Sequence, residues 1–263
     1  MPVLRIESVD NPRIKSVSML VKDRGARVKS GLAVIENAVM VEEALSCGVT
    51  LKQVFFDEKN YQSNALLAEK CASFGAEVFT VTERVMKKLT ALEAPQGVTA
   101  VFEMKSMPKA DISKKGRYIL CERMSDPGNL GTVIRTADAM GFDGVILSKG
   151  SVDVYSPKVM RATMGSIFRT PVLTDIGVTE AVDRLRSSGN ITLAAVLNPQ
   201  AKPADEIEVT DCVAILIGNE AAGLSEEAIN AADKCVYIPM SGKAESLNAA
   251  VAASVFMWIF RRK

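Results

Sequence analysis

The chain has 263 residues, 48% of them apolar, and a formal net charge of +1. The length suggests one large or two smaller domains, and the apolar content is ample for a core. No apolar run reaches the length of a membrane span, and the N-terminus lacks a charged-then-apolar leader pattern, so a soluble, cytoplasmic protein is expected. Histidine is absent, which excludes Ser-His-Asp and Cys-His catalysis, histidine-ligated zinc and a histidine general base. The five cysteines form no C-x-x-C pair, and Cys121 and Cys212 sit in apolar strand patterns that predict buried thiols.

Asn11-Pro-Arg opens a helical pattern through Val21. The first thirty residues hold seven Lys/Arg against three acids. Arg13, Lys15, Arg24 and Arg27 are among them, a phosphate-facing patch in expectation. Leu32–Ile35 reads as a strand, Glu36-Asn37 starts a helix that Gly48 ends, and Val54–Phe56 is a strand. A helix over 64–74, a strand over 77–81, a Thr82-capped helix over 83–92, the Pro95-Gln-Gly97 turn and a strand over 98–102 complete a small α/β domain, residues 1–103. Residues 104–116, with Pro108 and Lys105, Lys109, Lys114 and Lys115, read as a linker.

A second α/β domain, residues 117–263, begins with the continuous apolar strand Tyr118–Cys121, as a parallel sheet requires. A helix carrying Leu130, Val133, Ile134 and Ala137 on one face follows, then a strand over 145–147. Ser156-Pro157 caps a helix over 158–164 that presents Arg161, a further phosphate-binding candidate. Residues 167–172 are expected as strand, 179–187 as helix, 191–197 as strand and 213–217 as strand. Ser225 with Glu226 and Glu227 starts a short helix. The strand Cys235–Ile238 then leads through a loop into an apolar helix over 249–260, which Ser246 or Asn248 can cap. That helix is apolar nearly all round and is expected to be buried on more than one side.

Three loops thus follow strands: 125–135, 218–223 and 239–248. Open α/β sheets bind ligands at that edge. Gly218 and Gly223 have phosphate-loop spacing, but Leu224 stands where the lysine should be, and no G-x-G-x-x-G follows a strand.

Asn129-Leu-Gly-Thr-Val-Ile-Arg135, Ile217-Gly-Asn-Glu-Ala-Ala-Gly-Leu-Ser225 and Ile238-Pro-Met-Ser-Gly-Lys-Ala-Glu-Ser-Leu-Asn248 closely resemble the three motifs of the SpoU (TrmH-like) branch of the SPOUT RNA methyltransferases, in order and with similar spacing. The resemblance covers about 117–263, and roughly 10–103 is similar to that family's L30e-type substrate-binding domain. It implies a SPOUT parallel-sheet domain whose C-terminal segment threads into a deep trefoil knot, an exception to unknotted connections. It also implies a homodimer packed through the 248–260 helix and the first motif.

The implied reaction is metal-free transfer of a methyl group from S-adenosylmethionine to a ribose 2′-hydroxyl of structured RNA, ribosomal RNA (23S type) before transfer RNA. The rival reading is an RNA-binding module with little catalysis. In the resemblance, Arg135 activates or orients the hydroxyl, Glu220 buttresses the site, and Asn129, Ser246 and Asn248 order the reacting ribose. Gly218, Ile238 and Leu247 match cofactor-binding positions, with Leu197 and Met240 as neighbours. Ala221 and Ala222 follow Glu220 where many relatives have glycine, giving up left-handed backbone freedom.

Overall fold

The computed structural model describes residues 3–208 and 212–262. They form two compact units. One takes the chain up to Met107 together with Asp153–Phe168; the other takes Pro108–Val152 and the chain from Arg169 on.

The first unit runs β1 (Leu4–Ile6), α1 (Pro12–Lys22), α2 (Arg24–Ser30), β2 (Leu32–Glu36), α3 (Ala38–Ser46), β3 (Leu51–Asp57), α4 (Ala65–Ser73), β4 (Glu77–Val81), α5 (Glu83–Met86) and β5 (Val98–Glu103). Its sheet has the order β1-β4-β3-β5-β2; β1, β4 and β3 are parallel, and β5 is antiparallel to both its neighbours. Ile14, Val17, Leu20 and Val21 repeat at helical spacing on α1 and bury that face with Phe55, Phe79 and Met86. Asn11 and Asp23 cap α1 and α2 through side-chain oxygens, and Gly31 closes α2 at φ 69.

The second unit contains β6 (Arg117–Cys121), α6 (Pro127–Ala139) and β7 (Gly144–Ser148). The chain then visits the first unit through α7 (Pro157–Ala162) and returns to β8 (Val172–Ile176), α8 (Val178–Ser187), β9 (Ile191–Ala195), β10 (Lys202–Pro203), β11 (Val213–Ile217), α9 (Glu226–Ala231), β12 (Lys234–Tyr237) and α10 (Ala249–Ile259). The seven strands are all parallel, in the order β10-β12-β9-β11-β6-β7-β8. Strand side chains alternate between faces. Tyr118, Leu120, Ile146, Ala214 and Leu216 pack with Ala181, Val182 and Leu185 of α8 and Ala228 of α9. The alternate positions, among them Ile119, Cys121, Leu147 and Ile217, face the other side, where α6 and α10 pair. No described helix is long and apolar enough to cross a membrane.

Several expectations are corrected. The helix expected over 83–92 stops at Met86: the N–H groups of Lys88 and Leu89 bond three residues back, to Val85 and Met86, and that of Ala91 leaves for the buried Glu36 carboxylate at 3.0 Å. Residues 166–168 form a 3-10 turn, and the strand expected over 167–172 begins only at Val172. β1 and α2 had no counterpart in the expectation. The 104–116 stretch is not a free spacer: Met107 and Ala110 are buried, and Ile112 is wholly buried in the core of the second unit. Cys121 is buried as expected, but Cys212 is half-buried. Arg27 does not belong to a phosphate-facing patch. It is buried, donates to Asp153 Oδ2 at 2.6 Å and reaches the Leu20 and Val21 carbonyls.

Candidate active site

The C-terminal ends of β6, β9, β11 and β12 open into the loops that carry the candidate residues, so the parallel order of the sheet gathers them at one edge. β11 ends at Ile217, and Gly218 follows in a turn closed by Asn219 and Gly223, which exchange backbone hydrogen bonds of 3.0 and 2.9 Å. A Cβ on Gly218 would lie 2.5 Å from the Gly223 carbonyl oxygen and closer still to its carbonyl carbon and to the Leu224 nitrogen. Only glycine fits there. Asn219 Oδ1 accepts from the N–H groups of Ala221 and Ala222, at 3.0 and 3.1 Å. Ala221 is not among the non-glycine residues with positive φ, so alanine is accommodated without strain.

The turn aims Glu220 at the loop after β6. Its carboxylate accepts from Ser125 N (3.1 Å), Ser125 Oγ (2.8 Å), Asp126 N (3.0 Å), Asn129 Nδ2 (3.0 Å) and Asn219 Nδ2 (3.3 Å). Burial pushes this carboxyl up, but hydrogen bonds from Asn129, the Asp126 and Glu220 peptides and Ser125 outweigh it and hold the group down at about 2. Glu220 is therefore ionised at neutral pH and can only accept.

That fixes the direction of a relay. Asn129 must turn its NH₂ to Glu220, which leaves its Oδ1 to accept from Asn248 Nδ2 at 3.0 Å. Asn248 must then turn its own Oδ1 to the first turn of α10, where it accepts from Ala250 N (2.9 Å) and Val251 N (3.3 Å). Asn248, not Ser246, is the cap of that helix. All three motifs are thereby joined by side chains.

Beside the relay lies a cavity of about 380 Å³ between the ends of β9, β11 and β12. Leu197, Gly218, Ile238, Met240 and Leu247 all line it, as do Glu220 and Ser246. Leu197 is 72% exposed and Met240 40%, unusual for apolar side chains in a pocket wall unless a ligand covers them. Among the described residues, 239–247 make no backbone–backbone hydrogen bond, so their peptide groups stand available to a ligand. Larger cavities, such as one of about 700 Å³ around Lys202 and Lys234, collect none of these residues.

The other candidates belong neither to the relay nor to the lining of this cavity. Arg135 is exposed on α6 and makes no hydrogen bond or ion pair among the described residues. Arg13, Lys15, Arg24 and Arg161 belong to the first unit. Arg13 pairs with Glu77 at 2.7 Å and stacks over Phe79, Lys15 pairs with Asp10 at 3.0 Å, and Arg161 pairs with the buried Glu36 at 3.2 Å. Cys121, buried near Glu220, has its thiol pushed up to about 12 by burial and is no nucleophile at neutral pH. Sequence reasoning assigned no role to Asn219 or Ser125. Asn219 stands next to Glu220 in the second motif, and an Asx turn closing on a glycine was the available signal.

The profile of the SpoU rRNA Methylase family matches residues 116–258, and that of the MRM3-like substrate binding domain matches residues 11–100. The chain is 32% identical over 257 residues to the Bacillus subtilis protein named 23S rRNA (guanosine(2553)-2'-O)-methyltransferase RlmP, covering 98% of this chain and 99% of that one. It is 29% identical over 264 residues to the 23S rRNA (uridine(2479)-2'-O)-methyltransferase of Streptomyces viridochromogenes, covering 98% and 92%. The AdoMet-bound rRNA methyltransferase of Sinorhizobium meliloti superposes with a TM-score of 0.85 at 30% identity, covering 98% of this chain and 97% of that one. With that profile spanning more than half of its 263 residues, the chain belongs to the SpoU rRNA methylase family.

Proposed function

We propose that this chain transfers a methyl group from S-adenosylmethionine to a ribose 2′-hydroxyl of ribosomal RNA. The observation that carries the reading is the meeting, at one sheet edge, of an apolar cavity and an ordered polar relay through Glu220, Asn129 and Asn248.

The cavity suits the cofactor. Its volume of about 380 Å³ falls in the range of small-ligand sites, about 300–1,000 Å³. Leu197, Ile238, Met240 and Leu247 offer apolar cover for a purine and ribose, and the closeness of the Gly223 backbone to Gly218 keeps the floor of the pocket free of any side chain. The bound cofactor would supply a methyl group on a sulfonium, which an oxygen nucleophile can take without metal or covalent enzyme intermediate.

The remaining task is alignment and exclusion of water. Asn129 and Asn248 are held in one orientation each, so they can fix the acceptor ribose without paying reorganisation. Ser246 lines the cavity and makes no hydrogen bond among the described residues, leaving its hydroxyl for the substrate. Arg135, a guanidinium cation, binds an RNA phosphate and orients or activates the 2′-hydroxyl, and the proton that the hydroxyl gives up as its oxygen takes the methyl group passes by way of that phosphate to solvent. Arg13, Lys15, Arg24 and Arg161 are the proposed phosphate contacts of the first unit, which serves as the RNA-binding part.

The chain is further read as a cytoplasmic homodimer. Val251 and Trp258 of α10 are 47% and 55% exposed, and Arg261 stacks over the Trp258 ring at 3.4 Å. Such a face calls for a partner surface. The insertion of β12 between β9 and β10 and the return of α10 onto α6 support the threaded, knotted path expected for the C-terminal segment.

The test is transfer of labelled methyl from S-adenosylmethionine to total rRNA and total tRNA, followed by nucleoside analysis. A 2′-O-methylated nucleoside in rRNA is the expected result. Label in tRNA alone would reassign the substrate. Cofactor binding without transfer to either pool would point to an assembly intermediate as the substrate, and absence of cofactor binding would favour an RNA-binding module. Arg135→Ala is expected to abolish transfer while cofactor affinity stays within about twofold, since uniform binding and transition-state contacts separate in this way.

A further inference from the structure

A second cavity, of about 400 Å³, opens at the same sheet edge. β6 and β7 pair through Cys121 and Leu147, so Arg123 and Lys149, each two residues further on, leave the sheet side by side. Both line the cavity.

Arg123 is unusual. Its φ is 49, a left-handed conformation that a Cβ disfavours and glycine adopts freely. The backbone is tied there from both sides: its N–H donates to Ser148 Oγ at 2.8 Å, and its carbonyl accepts from Asn219 Nδ2 at 2.7 Å. Its side chain is 51% exposed, and its ion-pair contact, Glu122, is 3.7 Å away, beyond hydrogen-bond distance. Glu122 already accepts from Ser225 N at 2.8 Å. Lys149 is exposed and forms no ion pair among the described residues.

The start of α9 adds Glu226 and Glu227 to the same cavity, and among the described residues neither pairs with Arg123 or Lys149. Apart from the 3.7 Å contact of Arg123 with Glu122, which also lines the cavity, charges of both signs thus share one cleft unpaired. A ligand that presents an anion at one end and amino donors at the other would satisfy both. A nucleotide does so: its phosphate is an anion, and the edge of cytosine offers an exocyclic NH₂ that a carboxylate accepts. The cavity is also coupled to the relay, because Asn219, which holds the Arg123 carbonyl, contacts Glu220 at 3.3 Å.

We infer that this cleft receives a nucleotide of the substrate RNA flanking the one that is methylated, with its phosphate against Arg123 and Lys149 and its base edge against Glu226 and Glu227. The inference rests on the reading that the chain acts on RNA. It makes the cleft a determinant of sequence context, favouring a base with an exocyclic amino group over uracil.

Cytosine and uracil have the same shape and differ at one edge by amino against carbonyl, so pentamers of each are the natural probes. With the full chain, fluorescence anisotropy is expected to give tighter binding of the cytidine pentamer by about tenfold, the discrimination of one good base-edge contact. Glu226→Gln with Glu227→Gln should abolish that preference, because an amide can donate as well as accept. Arg123→Ala with Lys149→Ala should weaken both pentamers alike and reduce the salt slope by about one. The same double replacement should raise KM for protein-free rRNA about tenfold, with a much smaller change in kcat. Equal binding of both pentamers by the unaltered chain, or a KM unmoved in the Arg123/Lys149 variant, would overturn the inference. Failure of the unaltered chain to methylate any rRNA would instead fall on the proposed activity, while the pentamer comparison still decides the cleft.

Discussion

Replacing Gly218 by alanine is the sharpest challenge to the proposed cofactor site. The added Cβ would sit 2.5 Å from the Gly223 carbonyl oxygen, whereas ordinary van der Waals contact begins near 3.4 Å. The opposing turn must therefore retreat by about 1 Å, and by more at the two backbone atoms that lie closer. Backbone cannot rotate aside as a flexible side chain does. Overpacking of this kind costs about 1–3 kcal/mol, and the retreat also disturbs the Asn219–Gly223 bridge that aims Glu220. A misplacement of about 1 Å can cost about 100-fold in rate. Isothermal titration with S-adenosylmethionine should show affinity lowered by at least about tenfold, and methyl transfer should fall further. The melting temperature should drop by a few degrees. Unchanged cofactor affinity in a folded Gly218→Ala chain would refute the assignment of this pocket.

Glu220→Gln should reshape the acid limb of stability. The folded carboxyl titrates at about 2 against 4.5 for the free group, so its stabilisation is complete above pH 4.5 and is lost as the pH falls toward 2. The variant should melt lower at neutral pH and show a flatter decline through that window; an unaltered acid limb would count against the network. Asp153→Ala leaves Arg27, its side chain 5% exposed, without its carboxylate. Urea unfolding should register a loss of about 3 kcal/mol, and a loss below 1 kcal/mol would mean that water reaches the guanidinium. Trp258→Glu, on the exposed face of α10, should shift the mass measured by light scattering from dimer to monomer; an unchanged mass would remove that face from the interface.

Much of the second unit was legible because its strands are short apolar runs bounded by Gly, Pro and capping residues; Val213–Ile217 coincides with β11 residue for residue. The shared edge of the three loops was legible for a different reason: parallel strands send all their C-terminal loops to one side, so motifs far apart in the chain had to converge. What stayed hidden depends on partners distant in sequence. Arg27 looked like a surface cation until Asp153, more than a hundred residues away, neutralised it. The excursion of 153–168 into the first unit is carried by that pair, by Arg161 on Glu36 and by Phe168 packed edge-on to Phe102, none of which leaves a periodic trace. The left-handed Arg123 was equally invisible, since no local rule calls for arginine there.

The chain of amides from Glu220 to α10 has a bearing on when the protein becomes competent. Asn248 keeps its orientation only while the N–H groups of Ala250 and Val251 are gathered into a helical turn. Asn129, already oriented by Glu220, holds the Asn248 amide from the other side, although 119 positions separate them. A growing polypeptide that has completed β6, α6 and β11 can therefore already join Asn129 to Glu220, but the chain of amides still lacks Asn248. Its third member arrives only with the final helix, so an unfinished copy still emerging from the ribosome would present this sheet edge with the chain of amides open.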